Sequence, residues 1–120
     1  MKDNQRIQNL QQGIQTIKVQ LTALGDMRPG SLSKQYNVCG KSGCRCKDSK
    51  NPKRHGPYYQ LSYVHRGKST SQFIRAHLLK TVKAEITTYK TFRKLTDDWI
   101  HLALAIAKLK LAASRNPSSA

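Results

Sequence analysis

Acidic side chains are the scarcest chemistry in this 120-residue chain: six Asp and Glu stand against 22 Lys and Arg. The six are Asp3, Asp26, Asp48, Glu85, Asp97 and Asp98, scattered from end to end. A two-metal nuclease needs carboxylates that converge, and adjacent Asp97 and Asp98 on a helix point in different directions. A glycine-rich phosphate cradle and a nucleophile elbow are also missing. An enzyme is therefore not expected. Long apolar runs are lacking too. The longest, WIHLALAIAKLKL at 99–111, is too short for a membrane span and carries His101, Lys108 and Lys110. The first residues, MKDNQRIQNLQQ, show no apolar core before a cleavage site. The expected location is the cytoplasm, in association with the nucleoid. Cysteine is limited to three, an odd number that suits a metal site better than a disulfide framework in a reducing compartment.

What is abundant is positive charge. The formal net charge is +16 and the pI about 10.2. Self-repulsion on this scale disfavours a compact chain unless an anionic partner offsets it. Nucleic acid is the expected partner, ahead of an anionic membrane surface. The charge is uneven. Residues 1–29 carry four basic and two acidic groups, residues 30–75 ten and one, and residues 76–120 eight and three. The middle segment, at net +9, is the electrostatic centre.

The apolar pattern divides the chain into three parts. Ile7, Leu10, Ile14, Ile17, Leu21 and Leu24 follow a 3-4-3-4-3 spacing, which predicts a helix over 4–24 with one narrow seam. Gly25 and MRPG then break it. From 76 to 113 there is neither Gly nor Pro. Leu79, Val82, Ile86 and Tyr89 keep heptad spacing, and Phe92, Leu95, Trp99, Leu102, Ile106 and Leu109 resume it after an extra three-residue step. This predicts one long helix over 76–113, or two with a bend near 89–97, and a disordered tail over 114–120. Ile100, Leu104 and Leu111 form a second stripe, wide enough for a further neighbour.

Residues 30–75 read as a β module. SLSKQYNV alternates, and PYYQLSYVH and KSTSQFIR flank Arg66-Gly67, a two-residue hairpin turn. Centring the hairpin there pairs Tyr59 with Ile74, Leu61 with Gln72, Tyr63 with Thr70 and His65 with Lys68 on a mostly apolar face that covers the helices. Tyr58 with Arg75, Gln60 with Phe73, Ser62 with Ser71 and Val64 with Ser69 make a more polar face. A slip of one residue would exchange the two. The expected fold is a single α+β domain over 1–120. It has an N-terminal helix, a three-stranded antiparallel sheet with a zinc-knuckle-like loop, and a long C-terminal helix paired with the first as an antiparallel coiled coil.

All three thiols fall in the basic segment. Cys39, Cys44 and Cys46 have the pattern C-x4-C-x-C, and His55 follows. Three thiolates and one imidazole make a tetrahedral zinc set. Lys41, Arg45, Lys47, Lys53 and Arg54 lie close by in sequence, and such cations lower thiol pKa values and favour metallation. Zinc would also hold a segment too polar to fold alone. The same neighbours would suit a redox-sensing thiolate. A buried-cysteine role and an iron–sulfur cluster short of one thiolate are further readings. His65, His77 and His101 are alternative fourth ligands.

These residues resemble a family of small basic prokaryotic proteins of unknown function. The shared core is C-G-K-x-G-C-R-C, a basic spacer, then H-G-P-Y-Y and a hairpin with a Gly-Lys turn. Here those are Cys39 to Cys46, His55 to Tyr59, and Gly67-Lys68. The resemblance extends to the long C-terminal helix, and it implies a link to mobile elements and an accessory role in transposition.

The expected function is nucleic-acid binding, to double-stranded DNA ahead of RNA. Contact candidates are Arg45, Lys47, Lys53, Arg54, Arg66, Lys68 and Arg75 for phosphate, with Lys34 and Lys41 weaker. Tyr58, Gln60, Ser62 and Ser71 are the candidates on the polar face of the hairpin. A bland alternative exists for each: a solvated charge, or for Tyr58 packing within the sheet. The competing function is a coiled-coil adaptor, in which the helices build a homodimer or dock a larger protein partner.

Overall fold

The computed structural model describes residues 2–37 and 55–114. Their order is helix α1 (Lys2–Thr22), strands β1 (Ser31–Asn37), β2 (His55–His65) and β3 (Lys68–Ile74), a 3-10 turn (Ala76–Leu78) and helix α2 (Leu79–Ser114). By internal packing the chain divides into two units, one of residues 1–26 with 88–120, the other of residues 27–87.

The first unit contains a helix pair. The apolar seam of α1 is its shielded side: Ile17 is buried, and Ile7, Leu10, Ile14 and Leu21 are half-buried. Opposite it on α2, Leu95 and Ile106 are buried, and Phe92, Trp99, Leu102 and Leu109 are half-buried. The pairing is antiparallel. Lys18 meets Trp99, Gly13 meets Leu102, and Arg6 and Leu10 share a groove with Ala105, Lys108 and Leu109. A Cβ at Gly13 would lie 3.0 Å from Leu102 Cδ1, so glycine lets the helices approach closely there. The first helix closes with a tightened turn, in which Ala23 N–H donates to the Val19 and Gln20 carbonyls and Leu24 N–H to Leu21. The second helix runs unbroken from 79 to 114, without separation at 89–97. It starts later than periodicity suggests, because residues 76–78 form the 3-10 turn after an extended Arg75 (φ −66°, ψ 142°).

The second unit holds the sheet, ordered β1-β2-β3 and antiparallel throughout. The β2–β3 register pairs Tyr59 with Ile74, Leu61 with Gln72, Tyr63 with Thr70 and His65 with Lys68. That is the register expected from the turn. Arg66 (φ 50°) and Gly67 (φ 77°) both have positive φ, as the two-residue turn that matches strand twist requires. The extended pairing of Tyr58 with Arg75 lies beyond the end of β3.

One face of the sheet carries the core. Leu61 is fully buried against Val82 and Ile86 of the first turns of α2, with Leu32, Tyr63 and Ile74 packed around them. Burial of each such aliphatic side chain contributes roughly 1.5–3 kcal/mol. Gly30 leads into β1 with φ 122°, and a Cβ there would sit 2.7 Å from the Ser62 carbonyl oxygen. Arg28 fastens this lead-in to the helix. Its N–H donates to the Glu85 carbonyl at 3.1 Å, and its guanidinium lies 3.4 Å from the Glu85 carboxylate.

Candidate nucleic-acid interface

The other face of the sheet is solvent-facing, and its composition follows from strand alternation. Leu32 and Leu61 point into the core, so their neighbours in sequence point out. Cross-strand pairing then sets the outward residues in rows. Ser33, Gln60 and Phe73 form one row, and Ser31, Ser62 and Ser71 the next. Gln35 pairs with Tyr58 on one side of these rows, and Val64 with Ser69 on the other. None of these outward strand residues is charged.

Polar groups on this face bond to one another. Gln35 Nε2 donates to Gln60 Oε1 at 2.7 Å and reaches Ser33 Oγ at 3.4 Å. Ser33 Oγ donates to the Gln60 carbonyl at 3.4 Å, and the Ser62 and Ser71 hydroxyls are 3.2 Å apart. Tyr58 and Phe73 meet edge to face, with centroids 6.3 Å apart and planes at 68°. Both stay open to solvent; Phe73 is 64% exposed and Val64 65%. Phe73 and Val64 are set apart by the row of Ser62 and Ser71, so the apolar surface on this face is the Tyr58–Phe73 pair and a separate valine.

Cations stand at the ends of the face. Arg66 is exposed at the hairpin turn, and Arg75 is exposed just beyond the opposite end of β3. Lys68 does not join them: it pairs with His65 in the register of the core-side row. Nor does Lys34, which pairs with Tyr59 in that register, with its ammonium 5.7 Å from the centroid of the Tyr36 ring. A hydrogen bond and charge interaction with Tyr36, and then Tyr59, hold its pKa above the ordinary lysine value.

Of the expected contacts, Tyr58, Gln60, Ser62 and Ser71 share the outward face, with Arg66 and Arg75 at its ends, whereas Lys68 falls on the core-side row because strand alternation turns it opposite to Ser69. Lys41, Arg45, Lys47, Lys53 and Arg54 lie outside the described residues, as do Cys39, Cys44 and Cys46. His55 is the first residue of β2 and its backbone pairs with Asn37 of β1. Its side chain is likewise outside the description. Among the described residues no metal-holding cluster of His, Cys, Asp or Glu occurs. His65, His77 and His101 are exposed on three different elements. Sequence reasoning missed Ser31, Ser33 and Gln35 as members of the face, and placed Phe73 on it opposite Gln60. The available signal was Leu32, whose inward position turns Ser33 and Gln35 outward.

The fold and this face define a small, strongly basic α+β protein with an open, uncharged sheet surface. The chain belongs to the family described as Domain of unknown function (DUF6788), whose model matches residues 7–84. The match takes in α1, the sheet and only the first turns of α2. No curated protein and no solved structure matches the chain. No helix among the described residues is long and apolar enough to cross a membrane.

Proposed function

We propose that this protein binds nucleic acid, double-stranded DNA ahead of RNA, through the outward face of its sheet, and that its role is binding rather than catalysis. The observation that carries the reading is the arrangement of charge. Hydroxyl, amide and aromatic groups occupy the middle of the face, and Arg66 and Arg75 stand at its ends. Phosphates attract the cations, and base edges suit the neutral donors and acceptors. Three strands are about 10 Å across, comparable to a major groove about 12 Å wide. The basic residues between β1 and β2, Lys41 to Arg54, add phosphate-binding charge in the same part of the sequence. As an accessory factor in transposition, the protein would hold element DNA with this surface.

Zinc is the proposed cofactor, on Cys39, Cys44, Cys46 and His55. The donor set in the sequence supports it. So does the pairing of Asn37 with His55, since Cys39 is only two residues along the sequence from Asn37. Metal analysis of the purified protein tests this. A Cys44→Ser variant with full zinc content and unchanged stability would sink the site.

For nucleic acid, the test is a salt series of DNA affinity on the full chain. Affinity should fall steeply between low and physiological salt. Weak binding to every nucleic acid even at low salt rejects the proposal.

A second reading has its own observation. Ile100, Leu104 and Leu111 share one side of α2 and are 57%, 65% and 61% exposed. A helical protein partner or a second copy would cover this stripe. Sedimentation at several concentrations, with and without DNA, tests the copy. A strict monomer in both removes the homodimer.

A further inference from the structure

The centre of the sheet face carries chemistry that distinguishes one base pair from another. Gln35 and Gln60 are locked together, with Nε2 of the first donating to Oε1 of the second at 2.7 Å. That bond occupies one hydrogen of Gln35 and one lone pair of Gln60. The Gln60 amide nitrogen and the Gln35 amide oxygen then remain for a ligand, one donor and one acceptor from the linked amides. Exchanging the two amides' roles leaves the same set, so the complement does not depend on which amide donates.

In the major groove, adenine presents an acceptor at N7 and a donor at N6, which such a pair matches. Guanine presents two acceptors, N7 and O6, and is commonly read by Arg or Lys. No strand residue directed outward on this face is a cation. Phe73, directly across from Gln60, is 64% exposed and supplies an apolar surface next to the amide. The thymine C5-methyl is the apolar group of the major groove, and phenylalanine is among the residues that contact it. Tyr58 meets Phe73 edge to face and supports the ring from the side. Both glutamines are half-buried, and Ser33 Oγ takes a second contact from Gln35 Nε2 at 3.4 Å.

We infer that this face prefers A·T over G·C pairs in the major groove, with the Gln35–Gln60 amide pair on adenine and Phe73 on a thymine methyl. The inference rests on the nucleic-acid reading above and adds a base preference to it.

Short duplexes of matched length, one A·T-rich and one G·C-rich, are compared by fluorescence anisotropy with the full chain at a fixed low salt. The A·T duplex should bind roughly tenfold more tightly. Replacing adenine by 7-deazaadenine removes the N7 acceptor, and replacing thymine by uracil removes the methyl; each should erase part of the preference. Gln60→Ala should abolish sensitivity to 7-deazaadenine, and Phe73→Ala should abolish sensitivity to uracil. Both variants should keep the parent's circular dichroism and its salt slope on the G·C duplex. Equal affinity for both duplexes, a G·C preference, or a preference unmoved by both variants overturns the inference while nucleic-acid binding stands. Tighter binding to single strands than to either duplex also overturns it, and assigns Tyr58 and Phe73 to base stacking. Failure to bind any duplex or single strand at low salt defeats the underlying reading instead.

Discussion

The two faces of one three-stranded sheet follow opposite rules. On one, Leu61 is fully buried and Val82 and Ile86 close over it. On the other, a single residue away along the same strand, Gln60 and Ser62 look outward, and Phe73 across from Gln60 remains 64% exposed. A period of two separates a surface that holds the fold from one that is free to meet a ligand. Substitutions on the two faces should therefore report on different properties, and mixing of those properties is the way to break the contrast.

The largest effect belongs to the core face. Leu61→Ala should cost about 2–5 kcal/mol, read as a lower midpoint in urea. A loss of under about 1 kcal/mol would mean that the sheet is not held from this side. Next comes the edge where the two faces meet the lead-in. Gly30→Val meets both a positive φ and the Ser62 carbonyl, and should cost roughly 1–3 kcal/mol by the same measurement. On the outward face, Val64→Ser should stay within about 0.5 kcal/mol of the parent in stability. A cost matching that of Leu61→Ala would erase the distinction between the faces. The rim cations should change binding alone. Arg75→Gln should lower the slope of log affinity against log salt by about 0.9, the value for one lost phosphate contact, with the urea midpoint unchanged. An unchanged slope would take Arg75 out of the proposed contact.

Much of this partition was legible before any coordinates. The β2–β3 register follows from Arg66-Gly67, because a two-residue turn leaves the flanking strands one way to align. The helix seams followed from heptad spacing, since Ile17, Leu95 and Ile106 must leave water and share a period with their neighbours. Other features were harder to read. Periodicity cannot distinguish the 3-10 turn at Ala76–Leu78 from the start of α2, because both are helical at short range. The extra three-residue step after Tyr89 suggested a bend, yet α2 runs through it; a change in the apolar pattern moves the buried side around a helix without breaking its hydrogen bonds. The outward face was only half visible. Gln60, Ser62 and Ser71 could be placed from the hairpin alone, whereas Ser33 and Gln35 needed the β1–β2 register, which no tight turn dictates. Phe73 was placed opposite Gln60, but its exposure depends on the helix covering the other side.

At Arg66 the backbone preference of the turn and the proposed binding role pull in opposite directions. A residue with φ 50° at the first position of such a turn is usually Asn, Asp or Gly, and a long side chain there is uncommon. Arg66→Asn should raise the melting temperature slightly, by a few tenths of a kcal/mol in stability, and weaken DNA binding. A protein engineered purely for robustness would discard this arginine; a protein selected to grip an anionic polymer would keep it at the tip of its hairpin.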